Sequence, residues 1–132
     1  MISYSLFKTD QMKPSKFRYS ETSYFGYTLN LELTEAGFRY QYSDGPFPTI
    51  VWKSVEVEAD FWTIFHHIMM AQPKWKRNYH QVDVCDGVNW ELELVYPDRT
   101  FKSKGYQSWP AGFDDFHGCL GLLGVKELLD DD

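Results

Sequence analysis

From Tyr24 onward the chain alternates. Phe25, Tyr27, Leu29, Leu31 and Leu33 are separated by Gly26, Thr28, Asn30 and Glu32. A side-chain period of two marks a strand with one buried face. The link Thr34–Gly37 follows, in which Gly37 can take a positive φ at little cost. Phe38, Tyr40 and Tyr42 then alternate with Arg39 and Gln41, so the two runs predict a hairpin. Ser43 to Pro48 is a turn cluster with two prolines. Thr49 to Val57, rich in β-branched residues, predicts a third strand.

The period changes at Glu58. Phe61, Ile64, Phe65 and Ile68 form one apolar stripe at helical spacing. Glu58 and Asp60 fall in the first turn, where the helix dipole favours negative charge, and Pro73 ends the helix after Gln72. Lys74 to His80 reads as a basic, aromatic link. Val82 and Val84 lead to a turn or bulge signal at Asp86-Gly87. Trp90, Leu92, Leu94 and Tyr96 then face one way, and Glu91, Glu93 and Val95 the other. Pro97-Asp98-Arg99 is the next turn. Thr100 to Lys104 predicts a last strand, with outward Lys102 and Lys104 protecting a sheet edge.

Pro110 suits the first position of a closing helix, Ser108 is near enough to cap it, and Asp114 and Asp115 lie in its first turns. Phe113, Phe116, Leu120 and Leu123 supply its apolar stripe. Gly118, Gly121 and Gly124 recur every three residues, and each interior glycine costs about 1 kcal/mol relative to alanine. The spacing implies either close approach of this helix to the sheet or an early end near Gly118 or Gly121. The order β-β-β-α-β-β-α predicts an α+β fold, a mainly antiparallel sheet of about five strands with two helices packed on one face. Residues 1–16 are the least patterned and read as a loose arm or an edge strand. The whole chain, 1–132, is read as one domain.

Composition narrows the class. At 43% hydrophobic and 18% aromatic, the chain must find dry surroundings for many rings, which few disordered chains require. The aromatic surplus also exceeds what one small core hides, so some rings are expected at the surface as contacts or as exposed cross-strand pairs. Thirteen basic residues against nineteen acidic ones, net −6, weigh against a nucleic-acid partner. The start of the chain lacks a basic, apolar leader, and no window is apolar enough to span a membrane. A cytoplasmic protein is therefore expected, with Cys85 and Cys119 as reduced buried thiols; a single bridge between them is the other reading.

Asp86-Gly87-x-x-Trp90-x-Leu92-x-Leu94, followed by Gly105, Pro110 and Phe113 in the spacing G-x-x-x-x-P-x-x-F, resembles a loose group of small uncharacterised bacterial and phage proteins. These carry a Trp-bearing strand, a hairpin and a closing helix. The resemblance covers residues 86–132 and implies a bacterial or phage origin, with no activity or catalytic residue to carry over.

Candidate chemistry is sparse. His66 and Met70 are four residues apart and share a helix face with His67 nearby, as soft-metal ligands could. They lie opposite the apolar stripe, and two exposed imidazoles on an amphipathic helix explain them without a metal. No C-x-x-C, H-x-x-x-H or H-E-x-x-H occurs, so no metal and no cofactor is expected. His117, at the edge of the second stripe, could pair with Cys85 as base and nucleophile; a partly buried histidine held by backbone is the plainer reading. The acidic pairs Asp114-Asp115 and Glu91/Glu93 and the tail Asp130–Asp132 suit helix starts, outward strand positions and a solvated end. The remaining candidate is a contact surface. It comprises Trp75 and Tyr79, the flanking Lys74, Lys76 and Arg77, and the loop aromatics Tyr106 and Trp109. The alternative for Trp75 and Trp109 is that they close the ends of the core. The sequence thus predicts a non-enzymatic protein-binding module, of an inhibitor or immunity type, whose partner is another protein. Homodimerisation through a sheet edge is a second route. An enzyme using His117/Cys85 or His66/His67 is the alternative.

Overall fold

The computed structural model describes residues 13–23, 26–35, 37–44, 51–57, 60–71, 74–80 and 87–123. Its strands are β1 (Lys16–Ser23), β2 (Thr28–Thr34), β3 (Gly37–Ser43), β4 (Lys53–Val55), β5 (Asn78–His80), β6 (Val88–Tyr96) and β7 (Arg99–Tyr106). The helices are α1 (Phe61–Met70), between β4 and β5, and α2 (Phe113–Gly121), at the end. The α+β class stands, but the sheet has seven strands in the order β4-β3-β2-β1-β6-β7-β5. Five of the six pairings are antiparallel and β5 runs parallel to β7, so the sheet is mixed.

Two strands escape the sequence reading. The arm or edge strand expected at residues 1–16 lies, up to residue 12, outside the described residues, and β1 covers the segment after it, to which the sequence pattern assigned no element. β1 lies at the centre, between β2 and β6, with Phe17, Tyr19 and Glu21 pointing inward. Its third inward residue is a glutamate, which breaks the apolar alternation that marks a strand. β5 occupies the segment read as a link. The Lys104 amide donates to the Arg77 carbonyl at 2.9 Å, and the buried Ser103 hydroxyl donates to the Lys76 carbonyl at 2.6 Å. This covers the end of the expected β7 edge.

One face of the sheet carries the core. Phe17 opposes Leu94, Tyr19 opposes Leu92 and Glu21 opposes Trp90 across the β1–β6 pair. Leu29 and Leu31 of β2 and Phe38 and Tyr40 of β3 continue the layer. Both helices cover it: Phe65 of α1 lies 5.7 Å from Phe17, Phe116 of α2 lies 5.3 Å from Tyr19, and the two rings are 6.2 Å apart. A seven-strand face is wide enough to hide most of the aromatic surplus, and of the five tryptophans only Trp52 and Trp109 are exposed. The other face is polar. Arg39 meets Glu32, and Glu93 sits between Lys16 at 3.3 Å and Lys102 at 3.6 Å.

The helix ends differ from expectation. α1 starts at Phe61, not at Glu58, which lies outside the described residues, and its buried stripe is Phe61, Trp62 and Phe65. α2 starts three residues after Pro110. Gly112, at φ 83°, precedes it, and no side chain caps it, so Ser108 does not cap. α2 ends at Gly121, which matches the early-end reading. A side chain at Gly118 would meet nothing within 4 Å, so close approach to the sheet does not explain that glycine. Gly105 is different. A Cβ there would strike the Trp90 indole nitrogen and the Ser108 carbonyl, because the indole crosses Gly105 to donate to that carbonyl at 2.8 Å. The G-x-x-x-x-P spacing thus holds the loop before α2 against β6.

Candidate functional site

The site begins with the inward glutamate of β1. Glu21 is 7% exposed. A carboxylate this deep needs donors, since burial alone would disfavour its charge. Three converge on it. The Tyr19 hydroxyl, two residues away on the same face of β1, donates to Oε1 at 2.6 Å. The Tyr27 hydroxyl, just before β2, donates to Oε2 at 2.5 Å. His117, one turn along α2 from Phe113, places Nε2 2.5 Å from Oε1. A carboxylate only accepts, so Nε2 carries a proton and donates. Burial pushes the Glu21 carboxyl up, but the bonds from His117, Tyr19 and Tyr27 and the His117 charge outweigh it and hold the group below its ordinary value. Tyr19 is driven well above its ordinary value by burial and by the neighbouring Glu21 charge.

This cluster forms one wall of a cavity of about 590 Å³. Trp90, Trp109 and Phe113 supply aromatic walls, and Asp114 adds a second carboxylate. The rings are contiguous: Trp90 and Phe113 lie 5.0 Å apart, Trp109 and Phe113 6.4 Å, and Phe113 stacks on His117 at 5.8 Å. Trp109 is 40% exposed. The loop that presents it is set by Gln107, at φ 52°, whose backbone amide donates to the Val88 carbonyl and whose side-chain oxygen accepts from the Val88 amide, both at 2.8 Å.

The contact surface expected from sequence is not one surface. Trp75 is 6% exposed and packs on Trp90, Phe101, Phe113 and Phe116, so it closes the core. Its indole nitrogen is buried without a hydrogen-bond partner among the described residues. Trp109 belongs to the Glu21 cavity. Tyr79 and Tyr106 line a different cavity of about 620 Å³, together with His80, which stacks on Tyr106 at 5.6 Å. Lys74, Lys76 and Arg77 are exposed but do not line the Glu21 cavity.

The other candidates separate as well. His117 is held by a side chain, Glu21, not by backbone alone. Cys85 lies outside the described residues, so its pairing with His117 is not described. Cys119 is a free thiol, buried in the core, and burial pushes it up to about 11. His67 is exposed, as expected of the polar side of α1. His66 is partly buried and, with Met70 and Lys74, lines an apolar cavity of about 290 Å³. Among the described residues no three His, Cys, Asp or Glu side chains gather as metal ligands. No described helix is long and apolar enough to cross a membrane.

Sequence reasoning missed Glu21, Tyr19 and Tyr27. The available signal was Phe17-x-Tyr19-x-Glu21, a period-two run in which an acidic residue takes an inward position. Comparison with family models, curated proteins and solved structures finds no match to this chain.

Proposed function

We propose that this chain is a small-ligand-binding domain whose ligand occupies the cavity between β1, β6 and the start of α2. One observation carries the reading: a nearly fully buried carboxylate, Glu21, forms part of the wall of an aromatic cavity and is held ionised by three side-chain donors. A core gains little from such a group, because hydrophobic side chains of similar volume are often at least as stabilising. Convergent polar groups with shifted proton affinities in a concave aromatic site are instead the usual make-up of a ligand pocket. Screening a metabolite library by thermal shift and tryptophan fluorescence tests the reading. A hit whose effect is lost in Trp109→Ala supports it. Hits that bind Trp109→Ala and Glu21→Gln as well as the parent chain count against it.

A second reading retains the protein-binding module of an inhibitor or immunity type. Its support is the exposure of Trp109 and of the basic run Lys74, Lys76 and Arg77. An acidic protein partner would then associate more slowly with a charge-reversed Lys74/Lys76/Arg77 variant, and with weaker salt dependence.

A further inference from the structure

Within the small-ligand reading, on which this step rests, the chemistry of the walls selects a ligand charge. Two carboxylates, Glu21 and Asp114, and one imidazole, His117, line the cavity, with no lysine or arginine among the described lining residues. Trp90, Trp109 and Phe113 form contiguous rings beside them. The faces of aromatic rings carry negative potential and attract organic cations, tryptophan most strongly. An open aromatic pocket with a buried carboxylate in its wall is complementary to a compact alkylammonium group. Two features oppose this: the His117 charge, which lies against Glu21, and the N-terminus of α2, whose dipole favours anions. Asp114 and Asp115 occupy that first turn and offset the dipole. The tyrosine hydroxyls do not favour an anion either, since the protons of Tyr19 and Tyr27 are directed to Glu21.

We infer that the cavity takes an organic cation, an alkylated or quaternary ammonium group seated against the exposed ring of Trp109 with Glu21 as counter-charge. The head enters from the Trp109 side, displaces water from that ring, and shares the field of the Glu21 carboxylate with His117.

Three probes of nearly equal shape test this: choline, its neutral carbon analogue 3,3-dimethylbutan-1-ol, and the anion 3,3-dimethylbutanoate. Each is titrated into the full chain while tryptophan emission is followed. Choline should bind saturably and at least about tenfold more tightly than the alcohol, a ratio within the range of desolvated cation–π contacts. Trp109→Ala should weaken choline binding by about the same factor and the alcohol by less, since only choline loses the cation–π contact. Asp114→Asn, at an exposed position, should weaken choline alone without the folding risk of Glu21→Gln. Equal binding of choline and alcohol, or preference for the anion, overturns the inference while leaving a ligand pocket in place. Choline binding that ignores both variants, or no binding of any probe, also overturns it. The small-ligand reading is judged separately, by the library screen.

Discussion

The imidazole of His117 and the carboxylate of Glu21 meet at 2.5 Å across 96 positions of chain, tying the last helix to the central strand. The contact joins two elements whose sequences give no hint of each other. It also places the Glu21 carboxylate in the wall of a cavity, where its charge can act on a ligand.

The pair makes folding stability acid-sensitive. The folded value of Glu21 is depressed, so its contribution is complete above the unfolded glutamate value and is lost as pH falls through the lower folded one. Urea titrations from neutral to acid pH should show this for the parent chain. Glu21→Gln should cost about 1.5–3 kcal/mol at neutral pH, a loss that shrinks towards zero in acid. A gap that stays constant with pH would mean that the charge is not what matters. Binding of a cation should weaken over the same acid range. The groups facing Glu21 there are Tyr19, Tyr27 and His117, with Asp114 across the cavity.

Two glycines of the closing unit should respond with opposite signs. Gly105→Ala drives a methyl group into the Trp90 indole and the Ser108 carbonyl, so it should destabilise by about 2 kcal/mol or more. Gly118→Ala meets open space on an exposed helix face and should stabilise by about 0.5–1 kcal/mol. Denaturant midpoints of the two variants measure both.

The register of β6 is checked by paired substitutions. Leu92 is fully buried opposite Tyr19, and Leu92→Ala should cost about 2–5 kcal/mol. Glu91 is exposed on the other face, and Glu91→Ala should stay within about 0.5 kcal/mol. Glu93 is only half-buried between Lys16 and Lys102, and removing that screened network should cost under about 1 kcal/mol. Equal losses at positions 91 and 92 would indicate a one-residue slip.

Cys119 should be inert in the folded protein. Burial leaves it 3% exposed and pushes its thiol up to about 11, so almost no thiolate exists at neutral pH. Peptide mapping after iodoacetamide should find Cys119 alkylated in denaturant and unmodified without it.

The pattern of residues alone determined β2, β3, β6 and β7, the inward set Trp90, Leu92 and Leu94, the turn at Pro97-Asp98, the apolar side of α2, and Phe61 and Phe65 of α1. These follow from period, which is a local property of the chain. Only the tertiary structure decided that β1 is central, since Glu21 hides its alternation and the pairing with β6 spans most of the chain. The same holds for β5, three residues too polar to read as a strand, which exists because β7 offers it a ladder. The fates of Trp75 and Trp109, one buried and one exposed, were equally illegible: identical side chains in similar loops differ only in which ring cluster they reach. The chain has nineteen acidic residues, and nothing in their spacing singles out Glu21. What singles it out is the register that turns it inward and the helix that brings His117 to it, and both are set by contacts between residues far apart in sequence.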